Sequence, residues 1–180
     1  MRNVQVTIRV PGVEAAAAFE RVGAFGQYSE LSSVIRSVVS RTTGEGREES
    51  DWDVYFRNGI LSWTETDLFD RRNLTISFEQ TDGDFAEFSG VWRLTAEGPD
   101  CLVDFSAAFD FGIPSLAGIL DPVAERVFKE TIARVVISLF AGNAEVVGDE
   151  AVARAVAAAD DPAVSSGSAV AAGAAGAGAR

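Results

Sequence analysis

Residues 50–69 read SDWDVYFRNGILSWTETDLF. Trp52, Val54 and Phe56 alternate with Asp51, Asp53 and Tyr55, the period-2 pattern of a strand with one covered face. Asn58-Gly59 then marks a tight hairpin, and residues 60–69 supply its second arm.

The same grammar extends in both directions. Upstream, residues 34–42 are β-branched and stop at Gly44-Glu45-Gly46. Downstream, Asp70-Arg71-Arg72-Asn73 is a turn, and residues 74–81 place Leu74, Ile76 and Phe78 on one face. After the turn Asp82-Gly83-Asp84, residues 86–95 align Phe88, Gly90, Trp92 and Leu94. After Glu97-Gly98-Pro99-Asp100, residues 101–111 align Val103, Phe105, Ala107, Phe109 and Phe111. Six consecutive strands joined by short turns predict an antiparallel meander with one apolar side.

The flanks supply the cover. Residues 2–10 form another alternating strand, ended by Pro11-Gly12. Residues 13–22 are rich in helix formers, Gly23 stops them, and Phe25–Leu31 fits a second short helical turn. Gly112-Ile113-Pro114 interrupts the last strand, and Asp121-Pro122 reads as an N-cap followed by proline at the first helical position. From there to Phe140, Ala124, Val127, Phe128, Ile132, Val135, Val136 and Leu139 recur at helical spacing, opposite Arg126, Lys129, Glu130 and Arg134. The predicted fold class is α+β: a curved antiparallel sheet of about seven strands around a long C-terminal helix, with two short helices after the first strand. One helix cannot fill so large a curved face, so an apolar cavity is expected between them. Residues 1–147 are read as the domain. Residues 148–180 are read as an Ala/Gly-rich disordered tail, transiently helical at most over 150–160.

Composition narrows the function. A formal net charge of −12 disfavours nucleic acid and anionic membrane surfaces. There is no histidine, which excludes Ser-His-Asp and Cys-His catalysis and removes the commonest zinc ligand. The single cysteine, Cys101, lies in an apolar run and reads as core. Asp82-Gly83-Asp84 has no further ligands at calcium spacing, so it reads as a turn, and no metal or cofactor is expected. No signal-peptide-like or membrane-spanning run is present, and a cytoplasmic location is expected. The expected partner is a small hydrophobic molecule, bound by a monomer or homodimer.

The element order resembles the START-like, helix-grip (SRPBCC) superfamily, and within it polyketide cyclases/dehydrases and coenzyme Q-binding proteins. The residues carrying the resemblance are Trp52-x-Val54-x-Phe56, Leu61-x-Trp63-Thr64-Glu65-x-Asp67, Asp82-Gly83-Asp84-Phe85, Gly90-x-Trp92, Phe109-Asp110-Phe111-Gly112-Ile113-Pro114 and Asp121-Pro122. The resemblance implies that the strand around Trp63 lines the cavity. Aromatase/cyclases carry there a tryptophan, a small polar residue and an arginine at alternate positions. Trp63 keeps the first, Glu65 stands at the second, and Asp67 replaces the arginine, which weakens the case for an aromatase mechanism.

Fold alone does not fix function, so the residues must. If Glu65 points inward among Trp63, Phe78 and Trp92, burial raises its pKa and makes it a usable acid or base, with Asp67 beside it. The alternative is that both carboxylates face solvent or pair with Arg36 or Arg93. Arg36, if inward, could hold a substrate carboxylate or enolate oxygen. Tyr28 is expected at the cavity mouth. Trp52, Val54, Phe56, Trp63, Phe78, Phe88, Trp92, Phe105 and Phe109 are the expected apolar lining, suited to a flat or isoprenoid ligand. The first functional reading is a cofactor-independent cyclase or dehydratase acting on an apolar carbonyl intermediate. The second is a non-catalytic carrier of a quinone or lipid, which needs only the apolar lining. A third, metabolite sensing, has no support beyond the fold.

Overall fold

The computed structural model describes residues 1–159. The elements are β1 (Arg2–Val10), α1 (Ala15–Val22), a 3-10 turn (Phe25–Gln27), α2 (Tyr28–Leu31), β2 (Ile35–Gly44), β3 (Arg47–Phe56), β4 (Gly59–Asp70), β5 (Thr75–Gly83), β6 (Glu87–Glu97), β7 (Asp100–Asp110), α3 (Pro114–Leu139), β8 (Glu145–Val147) and α4 (Glu150–Ala159). The strands form one sheet in the order β2-β3-β4-β5-β6-β7-β1-β8, and every pairing is antiparallel. The predicted helix-grip arrangement is present, with one more strand than expected, because β8 adds to the edge of β1 through Thr7–Val147 to Arg9–Glu145.

Strand parity places the apolar side chains on one side. Trp52, Val54, Trp63, Phe78, Phe88, Trp92, Leu94, Val103, Phe105 and Phe109 are all buried. Cys101 is buried as expected of a core residue, and burial pushes its thiol up to about 11. Gly90 has a specific task in this packing. It pairs with Phe78 across the β5–β6 ladder, and a Cβ there would lie 2.5 Å from Phe78 Cζ and 2.5 Å from the Ser106 carbonyl. The ring lies over the bare glycine, and the backbone beneath cannot give way. Gly90→Ala is therefore expected to destabilise the fold by about 2–3 kcal/mol, read as a lower urea midpoint at unchanged slope.

Three boundaries differ from the sequence reading. The hairpin loop is Arg57-Asn58 rather than Asn58-Gly59, since Phe56 pairs with Gly59 and Arg57 takes a φ of 54°. Leu74 lies outside β5 with a φ of 52°, in a turn held by the Asp70 carboxylate, which accepts the N–H groups of Arg72 and Asn73 at 3.0 Å each. The long helix begins at Pro114, not at Asp121, and Pro122 lies inside it. Pro114 suits a first turn because its missing N–H has no intrahelical acceptor there. Pro122 leaves the Gly118 carbonyl without its i→i+4 donor, and Gly118 has open space beside it.

The stretch beyond Gly148 opens on a packed helix instead of a tail. Asp149 accepts the Val152 N–H at 3.1 Å as an N-terminal cap, and Val152 and Val156, one turn apart, are buried. The helix α4 covers the polar side of α3: Lys129 reaches Asp149 at 3.3 Å and Arg134 donates to the Ala155 carbonyl at 3.1 Å. The rest of the expected tail, residues 160–180, lies outside the described residues. Among those described, no helix is long and apolar enough to cross a membrane.

Candidate functional site

Between the concave face of the sheet and α3 lies a partly open cavity of about 60 Å³. Its walls include Tyr28, Trp52, Val54, Phe56, Trp63, Phe78, Phe88, Trp92 and Phe105 from the expected set, joined by Ile35, Leu61, Glu65, and Ala124, Val127, Phe128, Thr131 and Ile132 of α3. Phe109 is not on this wall. It is fully buried in the core, against Phe85, Phe111 and Phe128. Trp52 and Trp63 face each other across the β3–β4 ladder, with rings 5.7 Å apart and 2° from parallel. Phe56 and Leu61 also border a groove between the β3–β4 hairpin tip and the start of α3, with a volume of about 540 Å³.

The polar end of the cavity is built by alternation on two adjacent strands. On β4, Trp63, Glu65 and Asp67 share the inward face; on β3, Ser50 and Trp52 do, and Ser50 stands opposite Glu65. Glu65 is 4% exposed and Asp67 is 0% exposed. Trp63 Nε1 donates to Glu65 Oε2 at 2.7 Å, and Trp52 Nε1 donates to Ser50 Oγ at 2.9 Å. Ser50 in turn donates to Asp67 Oδ2 at 2.5 Å, while Glu65 Oε1 is 3.5 Å from the same hydroxyl. A hydroxyl has one proton, so the shorter bond takes it. Asp67 Oδ1 is buried with no partner.

No arginine or lysine is among the lining residues. Burial pushes the Glu65 carboxyl well above its ordinary range, and the neighbouring Asp67 adds to the shift. Burial raises Asp67 to about 6, against the lowering effect of the Ser50 hydrogen bond. Burial thus disfavours charge on both carboxyls, and the two titrate as a pair.

Two expected site residues take other places. Arg36 is exposed, because β2 has an irregularity between Ile35 and Ser37, which pair with Val54 and Asp53. The extra residue turns Arg36 away from the cavity. It pairs with neither carboxylate, and Arg93 is also exposed on the far face. Tyr28 borders the cavity as a fully buried side chain, not as a rim residue. Its hydroxyl donates to the Val22 carbonyl at 2.5 Å, and burial pushes it well above its ordinary range, with the Asp67 and Glu65 charges adding. Ser50, which bridges the two carboxylates and Trp52, is absent from the sequence reading. Its signal was available in parity: it sits two residues before Trp52, on the inward face.

A family model described as polyketide cyclase/dehydrase and lipid transport matches residues 11–136. No curated protein matches the chain in sequence. Among solved structures, TTHA0849 from Thermus thermophilus is 18% identical, with a TM-score of 0.68 over 88% of this chain and 99% of that one. A START superfamily protein from Mycobacterium smegmatis is 17% identical, with a TM-score of 0.65 over 77% of this chain and 96% of its own. The Zhui aromatase/cyclase from a Streptomyces species is 19% identical, with a TM-score of 0.54 over 78% and 87%. The structural likenesses speak for the fold, and the family match over most of the folded chain agrees with them. The chain belongs to the polyketide cyclase/dehydrase and lipid transport family.

Proposed function

We propose that the protein is a cofactor-independent cyclase or dehydratase, acting in the cytoplasm on a polyketide-like or other apolar carbonyl intermediate held in the cavity by residues 1–147. The observation that carries this reading is the Glu65 carboxyl, buried on an aromatic wall with Asp67 behind it and no cation facing it. Burial favours the protonated form of such a group, which suits it to acid–base work. Protonated Glu65 can donate to a substrate carbonyl, the task an arginine would otherwise perform at the Asp67 position. It can also protonate a departing hydroxyl. The C–O bond then breaks with loss of water, and the Glu65 carboxylate takes back the proton from the adjacent carbon as the double bond forms.

The cavity volume of about 60 Å³ is far below the several hundred Å³ of a typical organic-ligand site. Binding therefore requires the rim to move. The adjoining groove shares Phe56 and Leu61 with the cavity, so displacing the hairpin tip or the start of α3 would join the two. The test is incubation with a synthetic linear poly-β-carbonyl compound, followed by mass spectrometry. A cyclised product one water lighter, formed faster than without protein, supports the enzyme. A compound retained by the protein and recovered unchanged indicates a carrier of quinone- or lipid-like ligands.

A further inference from the structure

The polar end of the cavity has too few hydrogen-bond donors for its acceptors. Glu65 and Asp67 together present four carboxylate oxygens, and the donors facing them are the Trp63 indole N–H and the Ser50 hydroxyl. The second indole, Trp52, is spent on Ser50 itself. Asp67 Oδ1 has no partner, and Glu65 Oε1 has only the distant Ser50 Oγ at 3.5 Å. Gln80, the cross-strand neighbour of Glu65 on β5, adds a third buried oxygen without a donor, because its amide N–H donates to the Phe85 carbonyl instead. One proton shared by the carboxyl pair satisfies part of this set and leaves the rest open.

The charge is unbalanced in the same direction. Glu48 lies opposite Asp67 on β3, so the nearest ionisable neighbour in the ladder is also acidic. No basic side chain lines the cavity. A buried charge without a counter-ion is costly, and the cavity beside this one is lined by the rings of Trp52, Trp63 and Trp92. Indole and phenyl faces attract a cation, more strongly when water is excluded. Donor-rich, positively charged and compatible with aromatic walls describes an ammonium group.

We propose that the ligand of this cavity carries a basic nitrogen, which binds as an ammonium ion against Glu65, with Asp67 behind it and the ring faces of Trp52, Trp63 and Trp92 around it. The proposal rests on the reading of the cavity as a ligand site, and narrows its carbonyl compounds to those that also bear an amine. An amine is already an ammonium ion at neutral pH, so no proton has to move on binding, and its charge balances that of the carboxyl pair. The ammonium then supplies the missing donors.

All three tryptophans line the cavity, so their fluorescence reports its occupation. Three probes of one shape are titrated into the full chain at pH 7: 4-phenylbutylamine, 5-phenyl-2-pentanone and pentylbenzene. The expected result is that the amine binds at least tenfold more tightly than the ketone or the hydrocarbon, and that this preference disappears in Asp67→Asn and in Glu65→Gln while pentylbenzene binding persists. A ketone that binds as tightly as the amine overturns the proposal and leaves the cavity reading standing. An amine preference unchanged in both variants overturns it as well, because the cation would then sit elsewhere. Failure of all three probes to bind overturns the cavity reading and this proposal with it.

Discussion

Replacing Glu65 by Gln is expected to lower turnover of an apolar carbonyl substrate by about 10²–10⁴-fold, with the fold intact. Glutamine is isosteric and can still accept the Trp63 indole N–H now received at 2.7 Å. It cannot release or recover a proton. The loss should therefore fall on kcat, with a much smaller change in KM. The pH profile sharpens the test. The wild-type protein needs a proton on Glu65, whose carboxyl is raised well above its ordinary range, and a charge on Asp67, which is raised to about 6. Activity should rise through about pH 6 on the acid side and fall as pH passes the raised value of Glu65. The two limbs belong to the carboxyl pair and not to either residue alone. An unchanged kcat in Glu65→Gln would remove Glu65 from the chemistry.

Asp67→Asn is expected to make the protein more stable at pH 7, by about 1–3 kcal/mol. The reason is linkage. A carboxyl with an ordinary value of 3.8 that is raised to about 6 in the fold binds more protons in the native state than in the unfolded chain between those two values. Its stabilising contribution is fully present below pH 3.8 and is lost as pH rises through about 6. This is opposite in sign to carboxylates such as Asp51, lowered chiefly by its hydrogen bond from Arg41, and Asp149, lowered chiefly by the Val152 N–H. Those groups add stability as pH rises from the acid side. The variant isolates the Asp67 contribution, because asparagine can accept from Ser50 and donate to Glu65 without bringing a charge. Urea midpoints at a series of pH values should show a gap between variant and wild type that is small below pH 4, opens through about pH 6 and then levels. A gap that is flat with pH, or a less stable variant, would mean that Asp67 is not a buried charge at neutrality. A more stable and less active variant would show that the acidic pair is retained for its task at a cost in folding free energy.

The sequence by itself determined seven of the strands, the grouping of their side chains by face, and the presence of a covering helix. Period 2 from Trp52 to Phe111 admits one parity, and only one long element downstream is apolar enough to close over it. The same parity set Glu65 and Asp67 on one face with Trp63, and the tertiary structure decided that this face is the inner one. Other features depended on relations between segments. Arg36 faces out because an irregularity between Ile35 and Ser37 breaks the alternation of β2, and a single unpaired residue leaves no mark in composition. Tyr28 is buried because its hydroxyl finds the Val22 carbonyl six residues back, a bond that forms only once the short helices fold onto each other. Phe109 has the same parity as Phe105 but a different layer of rings beside it, so it packs in the core and Phe105 faces the cavity. The helix starts at Pro114, which itself fills a first-turn position, and continues through Pro122. Ser50 acquires its role only through register: the β3–β4 ladder sets it opposite Glu65, within reach of Asp67 and under the Trp52 indole. A hydroxyl on a strand has no chemistry until its neighbours are fixed, and the tertiary structure fixed them around a buried acid.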